Sequence, residues 1–471
     1  MRRPPAKGET ARAFAGAEKG RVQRRRRASE QKEHRPSLSE NAQSPTVCQE
    51  EPHIVIFRAF RRALLCGAVL VFCVANVAPM SHASPVASAS AQEKEVVRGN
   101  NRFTWRMYRF RRERVGDNNL FVSPYSLYTA FAMTYAGAKG ETAHQLATTF
   151  SYPTGPSAVT ALSDGLSALR AGLVKRARMG NYALSIANAL WIGKQTHLLP
   201  AFTTLVKKRF NAECQQIDFT QLEAARQQIN RYISKQTHDR IKEIVGAGVL
   251  TPSTPLVLAN AVYFKASWMK TFDKRNTQQQ PFHALGGKTA RVSFMHQTSR
   301  YEISNQADCQ ILSLPYQRDD LSMIIVLPKL TQGLGAIERT ISSEKVETWL
   351  KAAHVVMVNV EIPRFKLEDE IELNKQAAAR LGMPLPFSRK ADFSDMATNP
   401  MNIDVALHKA FIEVTEEGTE ATAATVITVM KGAISQPEPP LVLFRADHPF
   451  LFMIRDNRTN AILFVGRVTQ L

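Results

Sequence analysis

The decisive stretch is Glu416-Glu417-Gly418-Thr419-Glu420-Ala421-Thr422-Ala423-Ala424-Thr425-Val426-Ile427-Thr428-Val429-Met430-Lys431-Gly432-Ala433. Split by a period of two, one set reads Thr419, Ala421, Ala423, Thr425, Ile427, Val429 and the other Glu420, Thr422, Ala424, Val426, Thr428, Met430. Successive strand side chains point to opposite faces. The first set is small or apolar throughout, so the segment can lie in a sheet with that set buried and Glu420 in solvent. Its opening is weakly β-forming, because Gly418 and the Ala/Thr run leave the chain as ready to be loop as strand. The same composition also suits an exposed, Ala-rich surface loop with no role.

The flanks carry structure of their own. A strand is expected before it, over 403–414, and the Pro-rich Gln436-Pro437-Glu438-Pro439-Pro440 follows. Near-continuous apolar runs at 256–264, 321–327 and 461–465 read as buried strands, and 355–362 as a further one. Ser123-Pro124 opens a helix expected to run to Phe150, with apolar residues at Leu127, Phe131 and Tyr135. Helices concentrate in the first half and strands in the second, an α+β layout.

Residues 1–53, with the run Arg24-Arg25-Arg26-Arg27, lack a hydrophobic period and read as a basic disordered extension. Over 54–83, Arg58, Arg61 and Arg62 precede an apolar run from Ala63 to Ala78, and Ser81-His82-Ala83 follows. That is the order of a secretory signal; the run is short of the roughly 20 residues of a membrane span. Export to the extracellular space is therefore expected, with a membrane anchor as the alternative, because the signal starts far from the N-terminus. Residues 84–94 read as a linker, and 95–471 as one folded domain.

With 61 Lys+Arg against 41 Asp+Glu the chain carries a formal charge of +20. Residues 1–83 hold 15 Lys/Arg and 7 Asp/Glu, a net of +8, so +12 remains for the folded part. Such a balance suits a polyanion as partner; Arg106, Arg109, Arg111, Arg112 and Arg114 crowd one helix, and Lys175, Arg176 and Arg178 follow another. The simpler reading is a solvated basic surface. Of the five cysteines only Cys214 and Cys309 fall in the folded part, where two buried thiols are expected rather than a bridge. No Cys or His spacing suggests a metal site, and no GxSxG, HExxH, Walker or GxGxxG motif suggests an enzyme or a nucleotide cofactor. Asn457-Arg458-Thr459 is a glycosylation sequon if the chain is exported.

Six segments in order resemble the serpin family: Asn119–Ser126, Ala136–Thr142, Ala259–Lys265 with Trp268, Ala391–Met396, Val405–Lys409 and Phe444–Phe452. The resemblance implies three β-sheets with about nine helices and an exposed reactive-centre loop, here 416–440. It implies a monomeric inhibitor of a trypsin-like or elastase-like serine protease, with no catalytic residues of its own, no metal, no cofactor beyond an optional glycosaminoglycan accelerator, and no nucleic-acid partner. It places the loop's hinge at Glu416, Glu417, Gly418, Thr419, Glu420, Ala421, Thr422, Ala423, Ala424 and Thr425. Arg364 and Trp268, with Glu416, match the region where insertion begins; Ser123, Ser126, Asn260 and His408 match a cluster under the sheet's opening strands. Family spacing puts the reactive bond at Gly432–Ala433, while a loop one residue shorter makes it follow Lys431, and Met430 is the third candidate. A non-inhibitory carrier or chaperone of the same family is the alternative, and the small hinge residues argue against it. A hydrolase with a triad scattered along the chain is a further alternative.

Overall fold

A computed structural model describes residues 90–419, except Asn181, and 441–471. All of them belong to one compact unit, Ala83–Leu471; the other unit, Met1–His82, lies outside the described residues, and with it the expected N-terminal extension and signal or anchor.

Nine α-helices occur among the described residues: α1 Ala91–Val115, α2 Pro124–Tyr135, α3 Gly140–Phe150, α4 Ala158–Met179, α5 Pro200–Leu205, α6 Leu222–Gln236, α7 Leu334–Thr340, α8 Ser343–Lys351 and α9 Lys375–Leu381. The strands are β1 Leu120–Val122, β2 Tyr182–Gly193, β3 Glu213–Ile217, β4 Leu256–Ser267, β5 Gln278–His283, β6 Thr289–Asn305, β7 Cys309–Pro315, β8 Leu321–Pro328, β9 His354–Pro363, β10 Phe365–Leu373, β11 Val405–Thr415, β12 Gly418–Thr419, β13 Val442–Arg445, β14 Phe450–Asp456 and β15 Ile462–Val468. Every strand expected from an apolar run is present, with ends shifted by a few residues.

Three expectations need correction, the briefest being that Lys175, Arg176 and Arg178, expected to follow a helix, lie inside the C-terminal end of α4. Residues 91–94, read as linker, form the first turn of α1, where the Ser90 side chain accepts from the Glu93 N–H at 3.1 Å. The single helix expected over 123–150 is two. Ser123 caps α2 and Pro124 occupies its first turn, but the chain leaves the helix after Tyr135. Gly140 then takes φ +50, a left-handed backbone that glycine adopts without strain, and the Lys139 N–H is drawn to the Asp392 carbonyl at 3.0 Å.

Hydrogen bonding joins the strands into two networks. One runs β10-β11-β12-β4-β2-β3; the other holds nine strands in the order β1-β15-β14-β8-β7-β6-β9-β13, with β5 on β6. The 17-residue β6 pairs with β5 through its first part and with β7 through its last, so it links what the three-sheet reading counts as two of its sheets.

The middle of the six-stranded sheet is buried on both faces, which explains why β4 reads as continuously apolar. Leu256, Leu258, Val262 and Phe264 join the main core with α1–α4 and the larger network. Val257, Ala259 and Ala261 join a smaller core beneath α6, with Trp191, Ile229, Ile233 and Leu407. The main core encloses a buried ionic cluster in which Arg467 donates to Glu338 at 2.9 Å and the Tyr108 hydroxyl donates to the same oxygen at 2.6 Å. Cys214 and Cys309 are free thiols, both pushed up to about 12 by burial, so they are inert at neutral pH. No described helix is long and apolar enough to cross a membrane, and no described cluster could hold a metal ion.

Candidate functional site

Strands β4 and β11 are parallel neighbours over Val257–Tyr263 and Val405–Phe411. Past that ladder they part, and β12 fills the gap, antiparallel to both: Gly418 pairs with Ser267 and Thr415, Thr419 with Ala266 and Val414. The chain thus climbs β11, reverses at Glu416-Glu417 and begins to descend between two strands that touch each other lower down.

The reversal is tightly held. Glu416, only 1% exposed, accepts from the Arg364 guanidinium, with Nε at 2.8 Å, and from the Thr277 hydroxyl at 2.5 Å. Its carbonyl accepts from the Phe272 N–H at 2.9 Å, and the Glu417 carbonyl from the Trp268 N–H at 3.0 Å. Burial raises the Glu417 carboxyl, but hydrogen bonds from Lys274 and Thr415 outweigh it and hold the group below the usual carboxylate range. The Trp268 indole donates to the Thr415 carbonyl at 2.9 Å and stacks on Tyr316, ring centres 4.6 Å apart. The Tyr316 hydroxyl meets the Thr419 hydroxyl at 2.8 Å. Thr419 therefore points into the main core, the face assigned to its set. Gly418 has φ +147 and lies so close to β4 that a Cβ would overlap the Ala266 carbonyl and meet Ser267 Cα at 2.7 Å; only glycine lets the backbone enter here.

A second cluster closes the ladder below. His408 and Asn260 are register partners on β11 and β4 and hydrogen-bond through Nδ1 and Oδ1. The Asn260 amide donates to the Ser126 hydroxyl at 2.6 Å and to the Asn188 side chain. The Ser123 N–H donates to His408 Nε2 at 3.2 Å, and the Ser123 hydroxyl donates to the Leu463 carbonyl at 2.8 Å. With Nε2 accepting, Nδ1 carries the proton toward Asn260 Oδ1, so the neutral ring is fully satisfied. Burial, and secondarily the positive charge of Arg111, push the imidazole down to about 3.

Two groups of sequence-selected residues are thus brought together: Glu416, Glu417, Gly418, Thr419, Arg364 and Trp268 at the opening, and Ser123, Ser126, Asn260 and His408 below it. Glu420, Ala421, Thr422, Ala423, Ala424 and Thr425, and the bond candidates Met430, Lys431, Gly432 and Ala433, lie outside the described residues. Tyr316, Lys274, Thr277 and Asn188 were missed. Asn188 left a readable signal: the lone amide in a mostly apolar strand, directly opposite Asn260. Tyr316 left none, since it meets Thr419 across 103 residues.

The arginine cluster on α1 divides. Arg111 turns inward onto Asp369, Arg112 approaches Glu338 at 3.8 Å, and Arg114 lies over the Phe110 ring at 5.3 Å. The exposed stripe is Arg98, Arg102, Arg106 and Arg109, spaced to share one helix face. The sequon asparagine is engaged: Asn457 Nδ2 donates to Asp319 Oδ1 at 2.9 Å and to the Ser322 hydroxyl at 2.8 Å, so a glycan there would displace these bonds.

The family model described as "Serpin (serine protease inhibitor)" matches residues 98–471. The chain is 39% identical over 376 residues to a leukocyte elastase inhibitor of Xenopus laevis, spanning 78% of this chain and 97% of that protein. It is 37% identical over 382 residues to the Homo sapiens leukocyte elastase inhibitor, spanning 79% and 98%. Among solved structures, uncleaved ovalbumin superposes with a TM-score of 0.71 at 27% identity, covering 80% of this chain and 100% of ovalbumin. Native protease nexin-1 with heparin gives the same score, identity and coverage. With a family model spanning its folded part and relatives matched over nearly their whole lengths, the chain belongs to the serpin family of serine protease inhibitors.

Proposed function

We propose that this serpin inhibits a serine protease by suicide cleavage, covalent trapping and insertion of its cleaved loop between β4 and β11. The observation that carries the reading is β12, two residues of the loop already seated between those strands in a register that can be extended. Its partners sum to 685 on β4 (418 + 267, 419 + 266) and 833 on β11 (415 + 418, 414 + 419). The difference, 148, is the offset of the parallel ladder itself (405 and 257, 411 and 263). Continuing the same sums sets Ala421 beside Phe264 and Ile412, Ala423 beside Val262 and Ala410, and Thr425 between Asn260 and His408. No strand needs to slip.

From Thr422 onward each step exchanges one parallel pairing for two antiparallel ones, which are slightly more stable per residue. The inward set would join the main core, with Ala421 beside the fully buried Phe264 and Ile412, where a small side chain displaces least. Glu420 would lie by half-buried Lys265 and Glu413, but from Ala424 onward the other set would meet the face beneath α6, where Ala261 and Ala259 are fully buried. Smallness on both faces of the loop thus has a reason.

The chemistry belongs to the protease. Its serine oxygen attacks the carbonyl of the reactive residue, the C–N bond breaks, the amine leaves with the serine's proton, and an ester joins loop to enzyme. The freed end inserts and carries the enzyme with it. Distorting its oxyanion hole slows deacylation by about 100-fold or more. Until cleavage the loop is held at both ends, so the intact chain is a kinetic trap. Among the bond candidates, Lys431 suits a trypsin-like target, Gly432 follows family spacing, and Met430 suits the elastase-like target suggested by the relatives' names. Sequencing the fragment released by each protease identifies the bond. The segment 54–83 supports export, with membrane anchoring as the alternative; N-terminal sequencing of the mature protein separates them.

Arg98, Arg102, Arg106 and Arg109 supply a four-arginine stripe about 16 Å long, and this supports a polyanion accelerator. Heparin is expected to raise the inhibition rate at low salt, and the triple change Arg98→Glu, Arg102→Glu, Arg109→Glu to abolish the rise; a rate unaffected by heparin contradicts it.

Thr419→Arg would force an unpaired cation against Tyr316. Incubated with trypsin or elastase and run on denaturing gels, this variant is expected to be cleaved with at least a tenfold loss of the protease-linked band. Undiminished linkage would refute the insertion route.

His408 binds its proton only below about 3 when folded but near 6.5 when unfolded. The stability it contributes is therefore complete above pH 6.5 and declines as pH falls from 6.5 toward 3. The loss reaches about 2 kcal/mol at pH 5. Urea titrations of the intact chain at pH 7.5 and 5 are expected to differ by this amount more than those of His408→Gln; an equal difference would contradict the assignment.

A further inference from the structure

We infer that Asp369, held by Arg111, is a positioning residue for loop insertion: it fixes the edge strand β10, and β11 with it, so that the sheet widens on the side of β4. The inference rests on the insertion reading proposed above.

The alternation of β10 singles the residue out. Phe365, Leu367, Ile371 and Leu373 join the main core, while Lys366, Glu368, Glu370 and Glu372 are exposed. Asp369 belongs to the first set by parity and is its one charged member. Two donors from outside the sheet meet it. The Arg111 guanidinium of α1 pairs with Oδ1, and the Phe121 N–H of β1 donates to Oδ2 at 3.1 Å. The side chains of Asp369 and Arg111 are only 12% and 11% exposed. Among the described strands β10 pairs only with β11, and β10 and β1 each stand at the end of their own network. One carboxylate therefore joins the edge of one network to the edge of the other.

The pair stands beside the rows that insertion must part. Asp369 is the register partner of Ala410, and Ala410 of Val262, the second closed pair below the opening. Arg111 is near enough to the Asn260–His408 bond for its charge to push the His408 imidazole down. A strand entering here separates β4 from β11 by about 4.8 Å more. Beyond β11 lies only β10; beyond β4 lie β2, β3 and the core beneath α6. The two-strand side is the lighter one. Untied, it would give way, and the register set by β12 on both neighbours would be lost.

The pair is poorly suited to stability alone. Burial pushes the Asp369 carboxyl above the usual carboxylate range despite the guanidinium beside it, and the Arg111 Nε is buried without an acceptor. Apolar side chains often replace a buried ion pair with no loss of stability. What they do not replace is direction: charge-assisted bonds fix a strand to two points outside its sheet. Insertion competes with deacylation, so a strand that yields lowers inhibition before it lowers stability.

The test uses two variants of the full chain, the apolar pair Asp369→Leu with Arg111→Met and the isosteric Asp369→Asn. Each is incubated with trypsin or elastase and run on denaturing gels. The readout is the ratio of cleaved, unlinked chain to protease-linked chain, taken with the thermal midpoint of the intact chain. The apolar pair is expected to raise the ratio about fivefold or more at an unchanged or higher midpoint, and Asp369→Asn to raise it about twofold or more. A wild-type ratio in both variants would overturn the assignment. So would a rise that comes only with a lowered midpoint, the mark of a merely structural pair. Cleaving the wild-type loop with a metalloprotease, which forms no ester, is expected to raise its thermal midpoint. No such rise would overturn the insertion reading itself, whereas a rise with unchanged variant ratios would overturn only the role of Asp369.

Discussion

The organisation of this molecule depends on one ladder, the parallel pairing of β4 with β11, and on its being unfinished at one end. Seven residue pairs hold the strands together from Val257 and Val405 to Tyr263 and Phe411. Beyond them Gly418 and Thr419 keep the strands apart. A sheet closed along its whole length would leave the loop a tether; a sheet open along its whole length would have taken it in. The intermediate arrangement has a seated start, a matched register and a closed remainder.

Polar groups mark the limits of that opening. At the top, the buried Glu416 carboxylate is met by Arg364 and Thr277, while its second oxygen is buried without a partner. One unsatisfied oxygen on a buried carboxyl group is expensive, and it sits at the reversal between β11 and β12. Three pairs beyond the opening's closed end at Tyr263 and Phe411, the Asn260–His408 bond ties the two strands directly, with Ser126, Asn188 and the Ser123 N–H satisfying what remains. A fully satisfied buried network rigidifies its surroundings. Insertion as proposed would carry Thr425 through this point, so the same bonds that keep the sheet shut are the ones a cleaved loop must replace.

Much of this was legible in the sequence, for identifiable reasons. The buried strands announced themselves as apolar runs because both faces of the sheet are covered, and the period-two split of the loop foretold the inward direction of Thr419. The break between α2 and α3 was less visible: helical periodicity continues across it, and the cause is a left-handed Gly140 and a contact to Asp392 that is distant in sequence. The start of α1 was readable from Ser90 and Glu93 but was hidden inside a small-residue stretch. The basic cluster on α1 was selected by density rather than helical phase; spacing alone separates exposed Arg98, Arg102, Arg106 and Arg109 from inward Arg111. The Tyr316–Thr419 contact depends on which elements become neighbours, and no local pattern carries that information.

The central claim is that β4 and β11 must part for the protein to trap its target. Val262 and Ala410 are register partners, both fully buried on the main-core face, and Val262→Cys with Ala410→Cys would tie the strands by a reducible bond. The direct measurement is the yield of protease-linked band from this variant before and after reduction. The oxidised chain is expected to be cleaved without forming the band, and reduction to restore it. A normal yield from the oxidised chain would contradict the account.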